Sequence, residues 1–467
     1  MAKQSRRELF KVGGAAALTV GLAACTTAPT TSEAAPTVTA AAQSAAQPKP
    51  AAKPAAAKPS VAAPATAPAQ PTVTAAAQAP APAPRQVVQQ PRPTVSPDQR
   101  TLVVVQLGGG DDGLNFLPPY GLGAYYDLRP KVGIAQADVL QLNGQVGLHP
   151  SLKAFKRLHD EGKLALIQGV GYPNPNRSHF RSMDIWHTAR PDANADQGWL
   201  GAFMSEVYKV GESPFQCVTM GNSIPKALLT PNAPAAAIQD VNTFQFLADR
   251  RLPTGKDPLL KTFGQMYAKP GRKLPTMDLV SQGWNTTARG VEALASSSEK
   301  YQPSVPYPQS PFGKALQNVA QMIAANLGTR VFYVSMGGFD THSNQKPVHA
   351  NLLTQVSEGL AAFQKDLEQL GKADGVLTLG FSEFGRRVRE NGSGGTDHGA
   401  AGPMFAIGSG VKSGLYGEAP SLTNLIDGDL RYTVDFRSVY ATVLESWFGM
   451  PSQQILGGTF ERLGFLN

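Results

Sequence analysis

The sequence predicts an α/β fold, a mostly parallel β-sheet sandwiched by helices, carried by residues 101–467. Three observations predict it. Short β-branched, apolar runs recur, helical patterns separate them, and acidic and imidazole side chains gather directly after the runs. Runs apolar on both faces suit strands buried on both sides. Strand–helix alternation marks a layered α/β domain.

The strands are expected at Thr101–Leu107 (TLVVVQL), Leu164–Val170 (LALIQGV), Arg330–Met336 (RVFYVSM), Gly375–Phe381 (GVLTLGF) and Pro403–Gly408 (PMFAIG). Before the second strand, SLKAFKRLHDEGK reads as a helix capped by Ser151 after Pro150. KALQNVAQMIAANLG, ending in Gly328, precedes the third strand, and VHANLLTQVSEGLAAFQKDLEQLG precedes the fourth. The final helix, DFRSVYATVLESWFG, starts at the cap Asp435. Residues 221–309 break the rhythm. They are rich in Pro, Ala and polar residues, with helical stretches such as NTFQFLADRR, and read as an inserted helical excursion.

The first 100 residues differ in kind. In SRRELFKVGGAAALTVGLAAC, Arg6 and Arg7 precede an apolar stretch, Val12–Ala24, that is too short to span a bilayer comfortably. It reads as a removable signal. The arginine pair resembles a twin-arginine export signal, with Leu9 and Phe10 in the reverse of the usual order. LAAC, Leu22–Cys25, resembles a lipobox, which makes Cys25 the acylated first residue; the other reading is an ordinary signal with a chance cysteine. Residues 1–25 are thus expected to be signal and lipobox.

Residues 26–100 are dominated by Ala, Pro, Thr, Gln and Lys, with PTVTAAAQ at Pro36–Gln43 and again at Pro71–Gln78. They lack the large apolar residues that offset chain entropy, and their prolines favour extension, so they read as a disordered tether. The expected location is outside the cytoplasm, held to a membrane by lipid and facing periplasm or cell surface. The absence of Asp at position 26 favours the outer membrane. Cys217 is the one other cysteine, so a lipidated Cys25 excludes an intramolecular disulfide and the body must rest on its core. The formal charge of +8 lies almost wholly in the first 100 residues. The nearly neutral body gives no electrostatic case for nucleic acid.

Open α/β sheets bind ligands beyond the carboxyl ends of their strands. There this chain places GGGDDGLN (Asp111, Asp112, Asn115), GYPNPNRSHF (Arg177, Ser178, His179), GGFDTHSNQ (Asp340, His342), SEFGRR (Glu383, Arg386) and GGTDHG (Asp397, His398). Carboxylates and imidazoles from several strand ends are what a zinc, manganese or magnesium site is built from. Each motif alone has a plainer reading: GGGDDG as a tight turn with a cap, His179 as a hydrogen-bonded helix start, Glu383 as a partner of Arg386. Their coincidence carries the metal reading. The glycines let loops turn sharply and leave room for an anionic ligand near backbone N–H groups. His149, His159 and His187 fall on helix or turn patterns and read as structural.

LGGGDDGLNFLPPYG, LHPSLKAFKRLHDEGKLALIQGVGYPNPNRSHFRSMDIW, GGFDTHSNQ and SEFGRRVRENGSGGTDHG together resemble the bacterial family called domain of unknown function 1501, over essentially all of residues 101–467. That family is grouped with the alkaline-phosphatase-like superfamily of phosphatases, sulfatases and cofactor-independent phosphoglycerate mutases. The resemblance implies an alkaline-phosphatase-like α/β core holding one or two divalent ions. It implies Asp112, Asp340, His342, Asp397 and His398 as metal ligands, with Glu383 or His349 completing a second site. Ser178 would be the nucleophile and Arg177 would hold substrate oxygens. Two departures stand out: LGGG replaces the family's common LRGG, removing an anion-binding arginine, and the Asp-Thr-His spacing is tight. Ser178-His179-Phe180-Arg181 lacks the proline of a formylglycine sulfatase motif, which argues against classical sulfatase chemistry. The expected activity is metal-dependent hydrolysis of phosphate-type esters on a small-molecule or glycan substrate. The alternative is a non-catalytic binding or assembly lipoprotein on the same scaffold.

Overall fold

The computed structural model describes residues 95–244, 258–267 and 275–466. Arg6, Arg7, Cys25, nearly all of the expected tether and most of NTFQFLADRR lie outside the described residues.

Nine strands form the main sheet: β1 Thr101–Leu107, β2 Leu164–Gly171, β3 Cys217–Met220, β4 Ala236–Ile238, β5 Val331–Met336, β6 Val376–Phe381, β7 Gly402–Ile407, β8 Gly414–Tyr416 and β9 Val434–Asp435. Their order is β8-β2-β7-β6-β1-β5-β3-β4, with β9 also pairing with β2. Neighbours run parallel except β7, which runs against both β2 and β6. PMFAIG is therefore a strand, as expected, but a reversed one. No helix lies between β6 and β7. Without a crossover element, the chain re-enters the sheet from the end at which it left.

β1 shows why the apolar runs alternate nothing. Leu102 and Val104 pack into one core with Trp186, Phe203 and Tyr440, while Val103 and Val105 pack into the other with Phe116, Phe155 and Phe363. Each such side chain contributes about 1.5–3 kcal/mol on leaving water. Cys217 is a free thiol buried in the first of these cores.

The segment expected as a helical excursion begins differently. β4 lies within it and extends the sheet, Val218 aligning with Ala236. CVTM and AAI are too short to announce themselves as strands. A 26-residue helix, Pro275–Lys300, follows. The chain just beyond it is fastened by the buried Asp366, on the helix Gln345–Gln369, which accepts from Ser304 Oγ (2.7 Å), Tyr307 (2.9 Å) and Tyr301.

Capping follows the sequence in part. Asp435 accepts from the Arg437 N–H at 2.9 Å, as its position predicts. Ser151 does not cap the helix Lys153–Asp160 with its side chain; instead its own N–H donates to His149 Nδ1 at 3.0 Å. Among the described residues no helix is long and apolar enough to cross a membrane.

The arrangement sets where chemistry can occur. β1, β2, β5 and β6 all point the same way, and β7 starts from that same end. The segments after β1, β2, β5 and β6, and the one leading into β7, therefore meet at one rim.

Candidate metal centre

The loops at this rim are stacked on one another, and glycine permits it. A Cβ on Gly109, whose φ is +121°, would collide with the backbone at Phe339–Asp340. A Cβ on Gly395 would collide with the carbonyls of Thr341 and His342. The bareness of these positions thus serves loop-on-loop packing. Arg386 ties the same loops together from inside. Fully buried, it donates to Gly110 O (2.6 Å), Thr396 O (2.9 Å), Phe339 O (3.0 Å) and Gly109 O, and to Asp340 Oδ1 at 2.6 Å.

Three imidazoles and one carboxylate converge above it. His398 Nε2 lies 3.1 Å from His179 Nε2, 2.9 Å from His342 Nε2 and 3.0 Å from Asp340 Oδ1. His342 Nε2 is also 3.0 Å from Asp340 Oδ1, and His179 Nε2 is 3.5 Å from Asp340 Oδ2. His179, Asp340 and His398 offer ligand atoms within 4.8 Å of one another, a spacing that suits one metal ion. The cluster is open to water: Asp340 is 47 % and His342 43 % exposed.

The far nitrogen of each ring is held. His179 Nδ1 is 2.8 Å from Glu383 Oε1, His342 Nδ1 is 3.0 Å from Asp397 Oδ1, and His398 Nδ1 is 2.8 Å from Arg177 O. All three partners accept. Each ring therefore carries its proton on Nδ1 and turns a bare Nε2 lone pair inward. Three lone pairs and a carboxylate facing one another repel unless a cation lies among them. Asp340 remains ionised: burial opposes this, but the Arg386 guanidinium that donates to it outweighs burial, and its carboxyl lies at about 2. The donor set, three imidazole nitrogens and an oxygen, fits zinc or a similar divalent ion.

The structure redistributes the residues singled out from sequence. Asp340, His342 and His398 stand in the cluster. Glu383 and Asp397 face its rings from outside, each holding an Nδ1, while Glu383 also accepts from the Gly109 N–H at 2.8 Å. Asp112 is elsewhere. Wholly buried, it pairs with Arg129 Nη1 at 2.6 Å and accepts from Gln345. Burial opposes its ionisation, yet Arg129 beside it holds its carboxyl below the ordinary range. Arg129 also donates to Val388 O and Arg387 O, so this is a structural ion pair, not part of a metal shell. His349 is buried, its Nε2 2.8 Å from Asp111 Oδ1, and is not among the residues that converge on the cluster.

Arg177 contributes its carbonyl to His398, while its guanidinium is turned onto the buried Asp429, with Nε at 2.6 Å. Ser178 is exposed at the start of the helix His179–Thr188, and its hydroxyl makes no capping bond. The residue that sequence reasoning undervalued is His179. Its signal was present, because it opens a helix just after a strand end, as the other site residues follow theirs. His187, by contrast, is structural, bonded to the Tyr333 hydroxyl at 2.9 Å.

The fold and this rim define an α/β protein with a solvent-open imidazole–carboxylate cluster fit for a divalent metal. By sequence the chain belongs to the family described as "Protein of unknown function (DUF1501)", whose model matches residues 99–456. No curated protein matches it by sequence. Solved structures that resemble it include the C-terminal periplasmic domain of EcEptC from Escherichia coli in complex with Zn, at 10% identity, covering 66% of this chain and 73% of that one, TM-score 0.33. The PsFucS1 sulfatase from Pseudoalteromonas sp. is 12% identical, covering 78% and 70%, TM-score 0.35. The lipoteichoic acid synthase LtaP from Listeria monocytogenes is 10% identical, covering 77% and 75%, TM-score 0.32. Overlap at this level bears on neither substrate nor mechanism.

Proposed function

We propose that the protein is a zinc-dependent hydrolase of phosphate-type esters, exported and held to a membrane by lipid on Cys25. One observation carries the catalytic reading: three imidazoles, each fixed with its lone pair inward, converge with Asp340 at a water-exposed rim. His179, His342, His398 and Asp340 would hold the ion. A structural zinc site is closed, whereas this one opens to solvent, which suits exchange of substrate.

The bound ion supplies Lewis acidity toward an ester oxygen. The chain's own residues do the rest. Glu383, Asp397 and the Arg177 carbonyl fix the ring tautomers, and Arg386 locks Asp340 in place. Ser178, directly before His179 and free of a capping bond, supplies the hydroxyl nucleophile. Asp112, Asp397 and Glu383 are not ligands in this reading.

The test is metal analysis of the purified protein, followed by a screen of phosphate and sulfate esters. About one zinc per chain and turnover that Ser178→Ala abolishes are expected, with metal retained in the variant. Zinc bound without turnover of any ester would favour a binding lipoprotein on the same scaffold. The location has its own test: Cys25→Ser should move the protein from membrane to soluble fractions, and Arg6→Lys with Arg7→Lys should block export. Unchanged fractionation of the first variant would refute the anchor.

A further inference from the structure

Beside the metal centre a second group of charges is built around Asp429, in the hairpin of strands Leu425–Ile426 and Asp429–Leu430. Its side chain is fully buried, yet two arginines reach it from the solvent side. Arg177 binds Oδ2 through Nε at 2.6 Å and through Nη2. Arg387 Nε lies 3.6 Å from Oδ1, an ion pair without a hydrogen bond, and Oδ1 has no hydrogen-bond partner. The guanidinium groups stay accessible, Arg177 37 % and Arg387 39 % exposed. Among the described residues, Arg177 Nη1 and both terminal nitrogens of Arg387 have no protein acceptor.

This arrangement is poor as a device for stability. A carboxylate taken wholly out of water with one oxygen unbonded is costly. Two guanidinium groups share this one buried carboxylate, and the Asp397 carboxylate acts on Arg387 only through space, without a hydrogen bond to it. It is sound as a device for orienting two planar donor groups toward solvent.

Both arginines are joined to the metal centre through their backbones. The Arg177 carbonyl fixes His398, and the Arg387 N–H donates to Asp397 O at 2.9 Å. Their guanidinium groups bond to none of the cluster side chains. The two guanidinium groups and the ion site are therefore carried on the same backbone segments.

We infer that Arg177 and Arg387, positioned by Asp429, form a second anion-binding subsite, and that the substrate is an ester whose alcohol part carries a second anionic group. This rests on the ester-hydrolase reading for the first group and adds the second. A carboxylate or a further phosphate would meet the free Nη donors while the ester meets the metal. Arg177 thereby recognises the substrate at a distance from the scissile bond, and Asp429 acts through the arginines.

Calorimetry on the zinc-loaded full-length protein tests it, with two phosphate monoesters that differ in one group. 6-Phosphogluconate has a carboxylate where sorbitol 6-phosphate has a hydroxymethyl. The expected result is that 6-phosphogluconate binds at least tenfold more tightly. Arg387→Met, at a half-exposed position, should bring that ratio near one, and Asp429→Asn should lower it. The ratio is a readout that loss of stability alone does not move. Equal affinities in the parent protein, or a ratio that survives Arg387→Met, would overturn the subsite while leaving the ester reading intact. No affinity for either compound by a protein that holds its zinc would overturn both.

Discussion

Glu383→Gln separates a residue that binds the metal from one that holds a ligand of the metal. In the structure Glu383 Oε1 accepts from His179 Nδ1 and from the Gly109 N–H, each at 2.8 Å. A glutamine oxygen can accept both. Its amide would then take the place of Oε2, which lies 3.3 Å from Ser382 Oγ, a hydroxyl able to accept in turn. The substitution therefore keeps the packing and removes the negative charge. The ring of His179 loses a charge-assisted hydrogen bond, which is about twice as strong as a neutral one. Its Nε2 becomes a weaker donor. Changes in such outer partners cost about 10–100-fold in metal affinity, or about 1.4–2.8 kcal/mol. The assay is a zinc titration in competition with a chromophoric chelator, with urea unfolding of the metal-free protein alongside. The metal-free protein should change by no more than about 1 kcal/mol, since the lost hydrogen bonds are partly replaced. An affinity within threefold of the parent would show that Glu383 does not tune His179. Complete loss of zinc from a folded variant would show that Glu383 is itself a ligand.

Three further outcomes are expected. His398→Ala, which removes the ring at the middle of the cluster, should lose stoichiometric zinc while the far-UV circular dichroism stays unchanged; retained zinc would refute the site. Asp112→Asn should leave zinc content intact but destabilise the protein by about 3–5 kcal/mol in urea, because it strands the buried Arg129; loss of zinc with unchanged stability would reverse the assignment. Burial pushes His187 down to about 4, below its ordinary 6.5, so it is neutral when folded and takes up its proton on unfolding. Its contribution is present above pH 6.5 and is lost as pH falls toward 4, up to about 3 kcal/mol; His187→Gln should flatten that part of the urea-midpoint profile, and an unaltered slope would refute it.

What was legible in the sequence and what was not divide along a physical line. Strands buried on both faces declare themselves by composition, so β1, β2, β5 and β6 stood where TLVVVQL, LALIQGV, RVFYVSM and GVLTLGF are written. The short strands β3 and β4 at one end of the sheet did not, because four and three residues are too few to show a pattern. The direction of β7 depends on whether a helix intervenes, which its own six residues cannot record.

The site divides in the same way. Strand ends located the rim, and the rim gathered Asp340, His342 and His398. Position along the chain, however, cannot distinguish a carboxylate that touches an ion from one that touches an imidazole or an arginine. Asp397 and Asp340 follow similar glycine-rich turns, yet one faces Nδ1 and the other Nε2 of the same ring, His342. Asp111 and Asp112 are neighbours, yet they point to different buried cations or rings, Arg129 for one and His349 for the other. What decides each role is which partner lies across the rim, and for Asp112 and Asp111 those partners lie 17 and 238 positions away. His179 shows the converse. A histidine that opens a helix can be a mere hydrogen-bond donor until a second bare nitrogen, His398 Nε2, lies 3.1 Å from its own and a third, His342 Nε2, lies 2.9 Å from that one. The metal reading therefore rests on convergence in space, and on the three acceptors that turn the lone pairs inward, more than on any single motif.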